Sequence, residues 1–349
     1  MKKSKIKYLN NGLSPLNNFL NKNATNWSSV HVLVDSNTYN YCLTKMMDEI
    51  DLFQNAEIIE IEPGEASKTI EIATGLWQTL SETDADRSAL LINIGGGVVT
   101  DLGGWVASTY KRGIDFIQIP TTLLGMVDAA IGGKTAIDLD EVKNLVGTFC
   151  LPKAIFAIPS FLDTLPEREW LSGFAELFKH ALISDPQLWE QVETSGIAGL
   201  TLNPEWIEQA SRIKESVVES DFKESGNRKM LNYGHTLGHA IESISLQNDK
   251  NPISHGHAIA IGMKLANRIA VSKKMLSKRN SERINSFIDR YYKHPEWLSD
   301  RKDEILEFVK KDKKNKDGMI RMVLLEDIGF ASIDVNVSED EIVSVLKNQ

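Results

Sequence analysis

The sequence predicts an α/β amino-terminal half joined to a mostly α-helical carboxy-terminal half. Three observations carry that expectation. The chain has 349 residues, more than one domain usually holds. Up to about Pro159, short β-rich runs alternate with helix-period stretches, the pattern of a parallel sheet covered on both faces. Beyond it, apolar residues recur at helical spacing and β-branched runs almost disappear. The boundary is placed at Ile158 to Ser160, giving segments 1–158 and 159–349.

In chain order, "VHVLVD", "AEIIEIEP", "ALLINIGGG", "FIQIP" and "AIFAIP" read as buried strands, each a short apolar run rich in β-branched residues. "TIEIATGLWQTLSE", between two of them, has helical period. The second segment supplies the helical patterns "EREWLSGFAELFKHALIS", "EWIEQASRIKESVVESDFKES", "HTLGHAIESIS" and "HAIAIGMKLANRIAVSKKM". Near the end, "MIRMVLL" and "ASIDV" suit a small hairpin, and "KKDKKNKDG" is the one strong charge block.

Composition narrows the function. An apolar fraction of 42% supports real cores. A formal charge of -9 argues against a nucleic-acid binder, yet leaves room for a small anion in a locally basic pocket. Cys42 and Cys150 are too few for a disulfide framework and are not spaced as metal ligands, so both are expected as small buried hydrophobes. The start, "MKKSKIKYLNNGLSPLNNF", lacks the apolar stretch of a signal peptide, and no apolar run spans a membrane. The expectation is a soluble, cytoplasmic protein with neither nucleic-acid nor membrane partners.

Loops at strand ends carry the first chemical signals. "LLINIGGGVVTDLGGWVAS" is a strand, three glycines and a helix pattern. Glycines let a backbone approach a pyrophosphate, and a helix N-terminus offers amide donors. The strict G-x-G-x-x-G spacing is absent, and a tight turn explains the glycines equally well. "PGEASK", Pro63 to Lys68, wraps a nucleotide or is an ordinary polar loop. Asp35 and Asn37 in "VDSN" suit ribose hydroxyls or a turn. The stretch "TTLLGMVDAAIGGKTAIDLDEVKNLVG" holds Asp128, Lys134, Lys143 and Asn144, with Gly132 and Gly133 beside the first lysine. That grouping suits an anionic or hydroxylated ligand; solvated loop lysines are the plainer alternative.

Four of the seven histidines, His235, His239, His255 and His257, fall in one short region. His235 and His239 are four apart and share a helix face. Spacing alone names them as joint ligands of a divalent metal. Glu176 and His180 have the same spacing, and His255 and Glu242 are further candidates. Spacing does not say which of these are ligands.

Taken in order, "PGEASK", "GGGVVTDLGGWVASTYKRG", "IPTTLLGMVDAAIGGKTAID", "KNLVGTF", "LSGFAELFKHALI", "LNYGHTLGHAIE", "HGHAIAIGM" and "DKKN" make the chain resemble 3-dehydroquinate synthase along almost its whole length. The resemblance implies a Rossmann-like nucleotide-binding α/β domain, a helical metal- and substrate-binding domain, and a site between them. It implies NAD+, a divalent metal (zinc first, cobalt second) and a homodimer. By residue, it implies metal ligands at Glu176, His235 and His255, with His239 facing the substrate instead. Nucleotide positions are implied at Asp35, Asn37, Glu65, Lys68, Gly97, Val98, Val99, Thr100, Asp101, Thr121, Thr122, Lys134, Lys143, Phe161, Leu162, Asp163 and Thr164. Substrate positions are implied at Asp128, Lys134, Asn144, Lys179, Lys214, Arg228, Asn232 and His239. Arg112 matches an arginine that reaches the neighbouring subunit's site. Lys313, with Lys314 as fallback, matches a phosphate-contacting lysine. His257 stands where the family commonly has glutamate, which bears on a contact behind the metal ligands, and "GNR" replaces "GLR".

The activity implied is conversion of 3-deoxy-D-arabino-heptulosonate 7-phosphate to 3-dehydroquinate and phosphate, by transient NAD-dependent oxidation, phosphate elimination, reduction and intramolecular aldol closure. Cyclases for sedoheptulose 7-phosphate or glucose 6-phosphate lose the counterpart of Lys179 or of Asn232, or alter "DKK"; this chain keeps all three. A metal-dependent polyol dehydrogenase of the glycerol dehydrogenase type is the other alternative. It has no need of so many anion-binding lysines.

Overall fold

The computed structural model describes residues 6–140, 142–311 and 320–347. The chain divides into two compact units, Met1–Pro166 and Glu167–Gln349.

The first unit is built on a parallel six-stranded sheet. Its strands are β1 (Ile6–Tyr8), β2 (Val30–Asp35), β3 (Glu57–Ile61), β4 (Leu90–Gly95), β5 (Asp115–Pro120) and, after an antiparallel pair β6 (Lys134–Leu139) and β7 (Val142–Phe149), β8 (Ala154–Ala157). The sheet order is β1-β8-β5-β4-β2-β3, all pairs parallel. Each apolar run expected as a strand is one. Alternate residues of the central strands enter different cores. Val32, Val34, Leu90, Ile92 and Ile94 pack with Leu16 and Leu20 of helix Ser14–Asn23. Leu33 and Leu91 pack on the other face with Leu76 and Leu80 of helix Ile70–Glu82 and with Val99 and Leu102 of helix Gly97–Thr109. Both faces are therefore covered, as a parallel sheet requires. β3 differs from expectation: only Ile59 and Ile61 are buried, because it is an edge strand with a partner on one side. Cys42 is buried, whereas Cys150, just beyond β7, is only half-buried. The units part after Pro166 because the segment Pro159–Thr164 packs with the sheet, Phe161 lying in the core of β2, β4 and β5.

The second unit is helical, with helices Glu167–Ser184, Pro186–Leu202, Glu205–Ser220, His235–Asn248, His255–Ser272, Lys278–Asp289, Lys302–Lys311 and Glu339–Lys347. The expected terminal hairpin is present as antiparallel β9 (Ile320–Asp327) and β10 (Phe330–Val337). Phe174, Phe178, Trp189 and Phe287 form an edge-packed aromatic core. Glycines set the closest helix approaches. A Cβ on Gly262 would lie 2.0 Å from the Gly234 carbonyl oxygen, and one on Gly256 would lie 2.0 Å from that of Ser172. Only glycine admits such backbone proximity. The His255–Ser272 helix thereby seats against both the start of His235–Asn248 and the Glu167–Ser184 helix one turn before Glu176. Among the described residues, no helix is long and apolar enough to cross a membrane.

Candidate active site

In the first unit, the nucleotide candidates collect where strands end. Asp35 closes β2 and accepts the Thr38 amide at 2.8 Å in a reciprocal cap, with Asn37 exposed beside it. Glu65 and Lys68 lie in the turn after β3, entered through Gly64 at φ +103°. Gly97, Val98, Val99, Thr100 and Asp101 form the first turn of the helix after β4. Thr121 and Thr122 follow β5, the Thr121 amide donating to the Gly95 carbonyl at 3.0 Å. Phe161, Leu162, Asp163 and Thr164 follow β8. The chain proceeds from β2 outward to β3, and from β4 in the opposite direction, so the strand order reverses between β2 and β4. Open parallel sheets bind ligands at the carboxyl ends beside such a reversal.

Lys68 ties these loops together. Its buried ammonium donates to Asp101 Oδ2 at 2.7 Å and to Asn144 Oδ1 at 2.5 Å. Burial alone lowers its pKa; the Asp101 and Glu65 carboxylates overcome that and raise it. Lys143, on β7 beside Asn144, lies 3.8 Å from Glu65 Oε1. Asp128 sits in the turn Gly125–Ala129, and Lys134 begins β6, exposed. Arg112 is exposed in a left-handed turn, with φ of +47° at Lys111 and +72° at Arg112.

In the second unit, Glu176 and Lys179 share a helix face, fully buried and ion-paired through Glu176 Oε2. Glu176 Oε1 is buried with no hydrogen-bond partner. It faces His235 Nε2 at 3.7 Å and His255 Nε2 at 3.8 Å. The other ring nitrogens fix the tautomers. His235 Nδ1 is 3.2 Å from the Tyr233 carbonyl, which only accepts, so the proton sits on Nδ1. His255 Nδ1 is 3.0 Å from Glu242 Oε2 and donates to that carboxylate. Both rings turn Nε2 toward Glu176 while Nδ1 is held by a carbonyl or carboxylate, the arrangement of imidazole metal ligands held from behind. Tetrahedral zinc with bonds of about 2.0–2.1 Å separates its N and O ligand atoms by roughly 3.4 Å. The chemistry of this trio therefore fits a divalent ion.

His239 belongs to the same cluster but not to the same environment. Donor atoms of His235, His239 and His255 lie within 4.8 Å of one another. The His239 ring is 5.1 Å from that of His235, yet His239 is exposed where His235 is buried. His257 points elsewhere: its Nε2 lies 2.8 Å from the Lys293 carbonyl and its ring meets Tyr292 edge-on at 5.5 Å. Burial lowers its pKa, so it is held neutral. His180 turns its Nδ1 to the Ala210 carbonyl at 3.1 Å.

Lys214 and Arg228 are buried, and Asn232 is half-buried. Arg228 donates to the Phe222 carbonyl at 2.6 Å, and Asn232 Nδ2 donates to Glu224 Oε1 at 2.5 Å. Asp221 organises this loop by accepting the Gly226 amide at 2.7 Å and the Arg228 amide at 3.1 Å; those amides, Gly226 foremost, pull its pKa down to about 2. Asp221 and Glu224 escaped the sequence reading. The cue available was an acidic residue four to five positions before amide-rich "SG", which suits a carboxylate-capped turn. Glu242, a further ligand candidate by sequence, here accepts from the His255 ring. Lys313 and Lys314 lie outside the described residues.

A parallel sheet with a glycine-led helix at its strand ends, followed by a helical unit carrying a buried carboxylate–imidazole centre, defines a two-unit enzyme of the class that joins a nucleotide-type sheet to a metal-type helical unit. The family description "3-dehydroquinate synthase N-terminal" matches residues 58–172, and "3-dehydroquinate synthase C-terminal" matches residues 173–315. The chain is 38% identical to the 3-dehydroquinate synthase of Parabacteroides distasonis over 95% of its own length and 94% of that protein's. It is 43% identical to that of Clostridium perfringens over 78% of each. Among solved structures, 2-epi-5-epi-valiolone synthase from Streptomyces hygroscopicus with NAD+ and Zn2+ bound is similar at a TM-score of 0.85 and 25% identity, covering 100% of this chain and 97% of that one. The chain belongs to the 3-dehydroquinate synthase family.

Proposed function

We propose that this protein converts 3-deoxy-D-arabino-heptulosonate 7-phosphate to 3-dehydroquinate and phosphate, acting as a redox-neutral lyase with NAD+ and a divalent metal, zinc before cobalt. The observation that carries the reading is the buried Glu176 Oε1 without a hydrogen bond, faced by His235 Nε2 at 3.7 Å and His255 Nε2 at 3.8 Å. When bound, NAD+ supplies a reversible hydride acceptor and the metal a Lewis acid for a substrate hydroxyl.

The side chains divide the remaining work. Glu176, His235 and His255 hold the metal, with Glu242 orienting His255. His239, exposed beside them, holds or moves a substrate proton. Lys134, Lys179, Lys214 and Arg228 give charge-assisted donors to a carboxylate and a phosphate, joined by Lys313. Asp128, Asn144 and Asn232 take substrate hydroxyls. The strand-end loops of the first unit hold the nucleotide through Asp35, Asn37, Glu65, Lys68, the 97–101 turn, Thr121, Thr122, Lys143 and the 161–164 segment.

A homodimer belongs to the same proposal. Leu139, Val142, Val146 and Phe149 are exposed apolar side chains on the β6–β7 pair, which suits a second copy, and Arg112 stands at a strained, exposed turn. A cytoplasmic location is proposed with it, supported by the need for NAD+ and by two unpaired cysteines.

The test is turnover of the purified protein with metal and catalytic NAD+. Phosphate release should match ring product, with no net NADH absorbance. Stoichiometric NADH would replace this reading with a dehydrogenase. Turnover of sedoheptulose 7-phosphate or glucose 6-phosphate in place of the heptulosonate would replace it with another cyclase.

A further inference from the structure

Asp138 has no assigned role, yet it bonds two residues proposed to meet ligand, Lys68 and Asn144, which also bond each other. The β6–β7 pair is regular from Lys134↔Phe149 to Ile137↔Val146, and the next pair is Leu139↔Val142. Between these pairs β6 advances from 137 to 139 while β7 runs back from 146 to 142. The excess places Lys143, Asn144 and Leu145 outside the ladder, with Asn144 in the left-handed region at φ +53°. Asn tolerates that conformation better than most residues but does not choose it unaided.

Asp138 fills the gap in the ladder. Its amide donates to the Lys68 carbonyl at 2.8 Å rather than to β7. Its Oδ1 accepts the Asn144 amide at 2.7 Å. The Asn144 side-chain oxygen then accepts from Lys68 Nζ at 2.5 Å, and the same ammonium reaches Asp101 at 2.7 Å. The interactions close a ring: Lys68 carbonyl, Asp138 amide, Asp138 carboxylate, Asn144 amide, Asn144 side chain, Lys68 ammonium. A hairpin does not need a half-buried carboxylate to fold; an ordinary ladder bond would serve.

We infer that Asp138 is a positioning residue, which fixes Asn144 in its left-handed conformation and so holds the Lys68–Asn144–Asp101 linkage in place for ligand. Its carboxylate acts as a hydrogen-bond acceptor for one backbone amide and touches neither nucleotide nor substrate. This rests on the proposed function for the identity of the ligands, though not for the ring itself.

The test compares Asp138→Ala, Asp138→Asn and the unaltered protein by three readouts: exchange of the Asn144 amide hydrogen, NAD+ affinity by calorimetry, and steady-state kinetics. In Asp138→Ala, Asn144 exchange should quicken, and NAD+ dissociation and substrate KM should each rise about 10-fold, the order expected from losing one charge-assisted bond; kcat should change far less. Asp138→Asn keeps an acceptor oxygen and should restore all three most of the way. Asp138→Ala indistinguishable from the unaltered protein in exchange and affinity overturns the inference. So does Asp138→Asn as impaired as the alanine variant, because acceptor geometry would then not be what matters. If the unaltered protein neither binds NAD+ nor turns over, the functional proposal fails, and amide exchange alone still judges the ring.

Discussion

The two units prepare their chemistry by opposite means. In the sheet unit, the candidate residues ride on loops and strand ends, and several are exposed or half-exposed. What is fixed in advance there is backbone: Gly64 at φ +103°, Lys111 at +47°, Arg112 at +72° and Asn144 at +53°. In the helical unit, Glu176 and Lys179 lie mid-helix, and Arg228 follows in a short 3-10 turn; they are 0%, 1% and 2% exposed. What is fixed there is side chains, held by burial and by each other. A buried charge costs heavily unless it is paired or binds a cation. Loops can be tuned with little loss of stability, whereas a buried charged centre is either completed or strained.

The largest effect tests that contrast directly. Glu176→Gln and His235→Ala should each abolish stoichiometric metal and with it turnover, read by metal analysis of the purified variants. Full metal retention in His235→Ala would remove it from the ligand set. Next, His239→Ala should keep metal and NAD+ binding but turn over about 10²–10⁴-fold more slowly, the usual worth of a positioned proton donor or acceptor. Single-turnover kinetics beside metal analysis separates the cases. Equal metal loss in the His235 and His239 variants would mean that two ligands one helical turn apart was the better reading.

Third, Glu242→Gln should weaken metal affinity by about 10–100-fold, because the group behind a ligand imidazole sets its orientation and basicity; metal titration into the chelator-stripped protein measures it. In the sheet unit, the matching change should spare metal altogether. A Cβ on Gly103 would lie 2.0 Å from Asn93 Oδ1, so Gly103→Ala should cost about 1–3 kcal/mol of stability through overpacking, seen in denaturant unfolding at unchanged metal content.

The same contrast explains what could be read from the chain. Helical period and the four-residue spacings exposed the second unit's centre, because i and i+4 share a face whatever the tertiary context. The assignment of Glu176 over His239 came from resemblance; spacing does not report that Gly256 seats its helix one turn from Glu176. The strands of the sheet were legible because parallel strands buried on both faces are continuous apolar runs. β1 and the β6–β7 pair were not: β1 has three residues, and β7 is largely exposed, its pairing set by a partner and by Asn144's left-handed turn rather than by its own pattern. Asp138 and Asp221 act on distant or following backbone amides, and no side-chain period marks such roles.

The smallest effect concerns His257, where the resemblance implies a glutamate instead. It is two residues from His255, and proximity in sequence alone makes it a rival ligand. The structure turns it away. Its Nε2 must carry the proton, since the Lys293 carbonyl at 2.8 Å only accepts. The ring is also half-buried against Tyr292, and burial keeps it uncharged. Among the described residues, it does not join the group of His235, His239 and His255, whose ring nitrogens lie within 4.8 Å of one another. His257→Ala should therefore leave metal stoichiometry and metal affinity unchanged and lower stability by only about 1 kcal/mol, the net worth of one hydrogen bond. Unfolding curves and metal analysis on the same sample decide this. A variant that loses metal would make His257 itself a ligand. Combining His257→Ala with His235→Ala closes the remaining route: if metal persists in the single His235 variant and vanishes in the double, His257 had swung in as a substitute ligand.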